Sequence, residues 1–239
     1  MKIHKSIATI SAAIALLGLN ACSDNDNDDN PGNTIVNQTY SITVSNLTNG
    51  QPLTPIGVIV HTPGFKAWEA GEAVSTGLEM LAESGNPAEF LGESETDGSV
   101  ISTASGSAPF GPGSRQSVSI TVERTADLKL TLASMLANTN DAFTGVADWD
   151  ISDLDIDESK SIMPHVYDAG TEANTETAAT MPGPAAGGEG FDADRTGDID
   201  KVTIHPGVVT TGDGLLTSAL GEGHRWLGAA AKIVVTRTQ

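Results

Sequence analysis

"TYSITVSNLTNG", residues 39–50, sets Tyr40, Ile42 and Val44 on one side of an extended chain and Ser41, Thr43 and Ser45 on the other. A period of two marks a half-buried β-strand, and Asn49-Gly50 ends it with a turn signal. The same reading extends down the chain. "IGVIVHTPGF" (56–65) is a second apolar strand, stopped at Pro63-Gly64. "QSVSITVE" (116–123) lines up Val118, Ile120 and Val122, and "LKLTLASML" (128–136) does the same with Leu128, Leu130 and Leu132. The chain closes on "KIVVTRT" (232–238), so first and last strands are expected to pair, as they do in many sandwiches.

Helix is scarce. Thr76 with Glu79 makes a capping-box pattern ahead of Leu78 and Leu81, with Gly85 as a stop. Asn86-Pro87-Ala88-Glu89 repeats the start signal with proline at the first helical position. Gly/Pro/Ser-rich stretches at 102–114 and 180–198 read as loops. The fold class that follows is mainly β, an antiparallel sandwich with short helical insertions.

The amino terminus stands outside that pattern. Lys2 and Lys5 precede an apolar run from Ile7 to Leu19, too short to span a bilayer as a stable helix. Residues 1–21 therefore read as a secretory signal. Its end, Leu19-Asn20-Ala21-Cys22, resembles a bacterial lipobox, which implies cleavage before Cys22 and a lipid anchor on that residue. Cys22 is the single cysteine, so no internal disulfide can form. By the sorting rules for such lipoproteins, Ser23 favours the outer membrane. Residues 22–36 then read as the lipidated cysteine plus an acidic tether: "SDNDNDDNPGNT" (23–34) holds four aspartates and no large apolar side chain, too little to offset chain entropy.

Without Lys2 and Lys5 the formal charge of −19 becomes −21. A chain this acidic is repelled by nucleic acid and anionic head groups and suits a setting rich in divalent cations. About 205 residues follow residue 34, enough for one domain, taken as 37–239, with a sizeable core.

Two carboxylate-bearing stretches stand out. "NTNDAFTG" (138–145) follows the 128–136 strand, and "YDAGTEANTE" (167–176) spaces Asp168 and Glu172 four apart around Gly170. A strand ending at Tyr167 would deliver Asp168 to the sheet rim, and Gly170 permits a sharp turn back. Carboxylates held that close need a proton or a cation between them. Three readings stay open on the residues alone: a hydrogen-bonded turn, the acid pair of an enzyme, or a cage in which Asp141, Asp168 and Glu172 offer calcium its oxygens. Two other acidic runs are weaker. "DWDISDLDID" (148–157) reads as an amphipathic edge segment. "DADRTGDIDKVT" (192–203) mimics a calcium loop through Asp192, Asp194, Gly197 and Asp198, but Thr203 stands where a bidentate glutamate is required.

"YSITVSNLTNGQPLTP", "HTPGFKAWEAGEAVSTGLEMLAESG", "LASMLANTNDAFTG", "YDAGTEANTE" and "HPGV", in this order, resemble the spondin domain in its bacterial lipoprotein form, from about Tyr40 to about Thr236. The resemblance implies a C2-like β-sandwich, one calcium ion at a loop end, and a role in adhesion like that of the animal members F-spondin and mindin. It carries the family's three acidic ligands onto Asp141, Asp168 and Glu172. Two departures qualify the match: Asn140-Asp141-Ala142 replaces a proline-aspartate-tryptophan, and Glu172 replaces an aspartate one methylene shorter. The cysteines of the animal members are absent. The implied partners are an extracellular glycan or a protein, besides the membrane itself.

Enzyme readings find less support. His61, His165, His205 and His224 show no close metal-ligand spacing, and no G-x-S-x-G elbow is present. A glycosidase pair needs carboxylates flanking a sugar cleft, yet only ten residues are Phe, Trp or Tyr. The expectation is a non-enzymatic surface module, with a cell-envelope hydrolase or a purely structural lipoprotein as rivals.

Overall fold

The structure, a computed structural model, describes residues 36–195, 197 and 199–239. The signal, Cys22 and the tether up to residue 35 lie outside them, as does Asp198 of the calcium-loop mimic. Among the described residues are ten strands, with two short α-helices between the second and the third: β1 Asn37–Asn46, β2 Gly57–His61, α1 Thr76–Ser84, α2 Ala88–Ser94, β3 Val100–Ser105, β4 Arg115–Glu123, β5 Lys129–Met135, β6 Ala142–Asp150, β7 Ser159–Ile162, β8 Val166–Asp168, β9 Thr203–Ile204 and β10 Ala231–Arg237. They form two antiparallel sheets, ordered β4-β1-β10-β7 and β3-β2-β5-β6-β8-β9. The chain is a β-sandwich, and its first and last strands pair in register from Tyr40↔Arg237 to Asn46↔Ala231.

The period of two explains the core. Tyr40, Ile42 and Val44 of β1, with Val118, Ile120 and Val122 of β4, meet Val58, Val60, Leu130 and Leu132 of the opposing sheet. The larger sheet is covered on its second face as well. Ile59, Ala133 and Phe143 pack there under Leu78 and Leu81 of α1, Phe90 and Leu91 of α2, and Trp68. That double burial explains why "GVIVH" reads as an unbroken apolar run while β4 alternates cleanly.

Several elements differ from expectation. Residues 102–105 are strand, not loop. β3 is an edge strand with few apolar side chains, "VISTAS", half exposed along its length, so a single-face pattern is missing. The cap of α1 is Ser75, whose Oγ accepts from the Leu78 N–H, one residue before the expected Thr76. Gly85 does end the helix in the left-handed region at φ 73. Asn86 Oδ1 accepts the Ala88 N–H at the start of α2. "NTND" is a turn, but β6 starts at Ala142 and carries the chain to Asp150. Beyond it Ile151 and Leu154 are buried while Ile156 is exposed, so the acidic run is amphipathic only in part.

Candidate cation site

The two motifs meet because β6 and β8 are neighbours. Their register pairs Ala142 with Asp168, which sets Asp141, one residue before β6, against the turn leaving β8. The Ala169 N–H donates to the Asp141 carbonyl at 3.3 Å. Gly170 then takes φ 75, and a side chain there would strike the Lys201 backbone, so the turn requires glycine.

Each carboxylate has a different environment. Asp168 is a turn cap: its Oδ1 accepts the Gly170 N–H at 2.8 Å and its Oδ2 accepts Asn174 Nδ2 at 2.5 Å. Asp141 is fully buried. Its Oδ2 accepts the backbone N–H groups of Thr171 and Glu172, at 2.9 and 3.1 Å, and the Thr171 hydroxyl. Its Oδ1 has no hydrogen-bond partner among the described residues. Burial first, then the Asp168 carboxylate, pushes the Asp141 carboxyl from 3.8 up to about 7.

Glu172 lends its backbone to Asp141 but turns its side chain elsewhere. Its Oε2 accepts Asn140 Nδ2 at 3.3 Å, and its Oε1 lies 2.7 Å from Arg195 Nη2, a charge contact without good hydrogen-bond alignment. Burial, and next the Glu83 carboxylate, push the Glu172 carboxyl upward against the pull of Asn140 and Arg195. The structure thus brings Asp141 and Asp168 together and leaves Glu172 on an arginine.

Two further buried groups gather near Asp168. Glu176, in the left-handed region at φ 55, is 1% exposed; its Oε1 accepts the Val209 N–H and its own N–H donates to Asn140 Oδ1. Burial drives its carboxyl to about 7, with Asp168 adding to the rise. His205, 6% exposed, accepts the Gly207 N–H on Nδ1 and tilts against Trp226 at 5.2 Å. Burial holds its imidazole below the ordinary value, and Asp168 opposes that shift. Glu176 closes the quoted motif, so its position was visible; its burial was not, because segments some 30 residues away in sequence cover it. His61 bonds locally: its Nδ1 meets the Thr62 carbonyl and its Nε2 the Thr131 hydroxyl, both at 2.9 Å. At His205 the backbone partner is an N–H instead.

The oxygen donors, the orphaned Asp141 Oδ1 and the neighbouring Asp168 suit a hard cation. Glu172 fits only if it exchanges Arg195 for the ion. Among the described residues no three His, Cys, Asp or Glu side chains converge closely enough to hold a metal as they stand.

The motif pair sits within a longer match, because the family model Spondin_N covers residues 48–185. The chain belongs to the spondin N-terminal domain family. The spondin match spans β2 to β8 with both helices and includes Asp141, Asp168, Glu172 and Glu176. β1, β9, β10 and His205 lie outside it, so it is narrower than the resemblance read from about Tyr40 to about Thr236. No curated protein matches this chain.

Proposed function

We propose that this spondin domain is the ligand-binding head of an outer-membrane lipoprotein, anchored through Cys22, and that calcium organises its binding loops for adhesion. The observation that carries the reading is the buried Asp141 Oδ1, without a partner among the described residues, beside Asp168. An uncompensated carboxylate oxygen at full burial is costly, and a divalent cation held by Asp141 and Asp168 would neutralise both charges while joining the 138–141 turn to the 169–176 turn. Without it, the Thr171 and Glu172 N–H groups and the Thr171 hydroxyl carry the Asp141 charge, all on one oxygen. Burial of both carboxylates supports binding over hydrolysis, since a hydrolase pair faces an open cleft.

Topology supports a role for this end of the domain. The chain enters the sandwich at Asn37, and β1 runs ten residues to Asn46, about 30 Å. The Asn46 side chain donates to the Gln51 carbonyl, and Gln51 Nε2 donates to the Asn138 carbonyl, three residues from Asp141. The carboxylates therefore sit at the opposite end from chain entry, where loops are free to meet an extracellular glycan or protein.

Calorimetric titration of calcium into the Cys22→Ser chain is expected to give saturable one-to-one binding that Asp168→Ala abolishes. Equal heats from both proteins would end the cation reading. In cells, Cys22→Ala is expected to move the protein from the membrane pellet to the soluble fraction; retention in the pellet would reject the anchor.

A further inference from the structure

Beside the carboxylates, at the same end of the sandwich, lies a groove of about 330 Å3. Met163, Pro164, Ile204, Trp226 and Leu227 line it, with His205. Three of these are among the exposed large apolar side chains: Leu227 at 100%, Met163 at 65% and Ile204 at 53%. Isolated exposed hydrophobes need no explanation, but several around one concavity mark a binding surface. The groove lies where both sheets end, since Met163 follows β7, the outer strand of one sheet, and Ile204 belongs to β9, the outer strand of the other.

Two backbone and side-chain features define what it would take. His205 Nδ1 accepts the Gly207 N–H, so the neutral ring carries its proton on Nε2. That N–H is buried and has no partner among the described residues, which calls for an acceptor. The His205 N–H bonds the Val166 carbonyl, and Ile204 stands opposite Tyr167. By the alternation of an antiparallel ladder, the Ile204 N–H and C=O face outward along the open edge. Asp168 acts electrostatically on His205, and the chain carries −19 overall, so an anionic acceptor is disfavoured and basic flanks are favoured.

We propose that this groove binds an extended, basic-flanked peptide, which adds a strand to the Ile204 edge, seats a bulky apolar side chain against Trp226 and Leu227, and gives His205 a neutral backbone carbonyl. Strand addition supplies affinity through main-chain bonds and specificity through the pocket. A sugar can stack on Trp226, but only a peptide can also add ladder bonds at the outward Ile204 N–H and C=O. The proposal deepens the adhesion reading by naming the partner class, yet it fails separately from the calcium reading.

The test is a 1H–15N titration of the Cys22→Ser chain with the blocked peptide acetyl-KVLVK-amide, repeated with acetyl-EVLVE-amide and with N-acetylglucosamine. Shifts are expected at residues 163–166, 203–207 and 226–229 for the basic peptide, with affinity reduced about tenfold in Leu227→Ser and reduced also in His205→Phe. Leu227 is fully exposed, so Leu227→Ser is expected to fold and to bind calcium unchanged. Shifts elsewhere, no shifts, equal affinity for the acidic peptide, or occupation by the sugar in place of the peptide would each overturn the proposal. Peptide binding that persists in Asp168→Ala while calcium binding is lost upholds it and separates the two sites.

Discussion

In chelator, stability is expected to fall as pH rises from about 4 to about 8, and calcium is expected to remove most of that loss. Folding raises the Asp141 carboxyl from 3.8 to about 7 through burial and the Asp168 charge, and raises Glu176 from 4.5 to about 7 through burial. A carboxyl whose folded value is raised contributes stability that is fully present below its unfolded value. That contribution is lost as pH climbs through the folded value, because the native state must then hold a buried charge. For Asp141 the change amounts to on the order of 4 kcal/mol once the group is ionised. Calcium needs the deprotonated carboxylate, so it competes with the proton and its effect grows toward high pH. Thermal melts with and without chelator across this range measure both arms. His61 and His205, lowered by burial, oppose this trend. A native profile in chelator no steeper than that of Asp141→Asn/Glu176→Gln would therefore show that the two carboxyls are not held under strain by burial.

Phe143→Ala is expected to cost about 3–5 kcal/mol, a drop in melting temperature of roughly 10 °C for a domain of this size. Phe143 is fully buried on the helix-covered face. Its ring stacks on Tyr167 at 5.4 Å and meets Trp68 edge-on at 5.2 Å. It is also two residues from Asp141, and Tyr167 immediately precedes Asp168. The aromatic stack therefore fixes the two strand ends that present the carboxylates. Calcium affinity should fall along with stability in Phe143→Ala. Ile120→Ala, in β4 of the other sheet, should lower stability while leaving affinity alone. Equal affinity in the two variants would mean that the stack supports the core but not the site.

Much of the sandwich was legible because burial on one face writes itself into the sequence as alternation. β1 and β4 show it directly, and the 128–136 run shows it through Leu128, Leu130 and Leu132 although the other face of β5 is buried too. The pairing of β1 with β10 follows from where they lie in the chain. The elements that escaped carry no such imprint. β6 is buried on both faces over Ala142–Val146 and so does not alternate, while β3 and β7 are outer strands with polar or half-exposed side chains, and β9 is two residues long. Their strand character comes from a neighbour offering hydrogen bonds, not from their own composition.

The site divides along the same line. Residue order alone brought Asp141, Asp168 and Glu172 forward as a set, and marked Gly170 as the turn between the last two. Only the tertiary structure turned Glu172 onto Arg195, buried Glu176 under the 205–220 segment, and left Asp141 Oδ1 without a partner among the described residues. Local sequence determines which backbone conformations and charges are available. How far each charge is desolvated, and which distant group answers it, depends on segments that meet only when the sheets close.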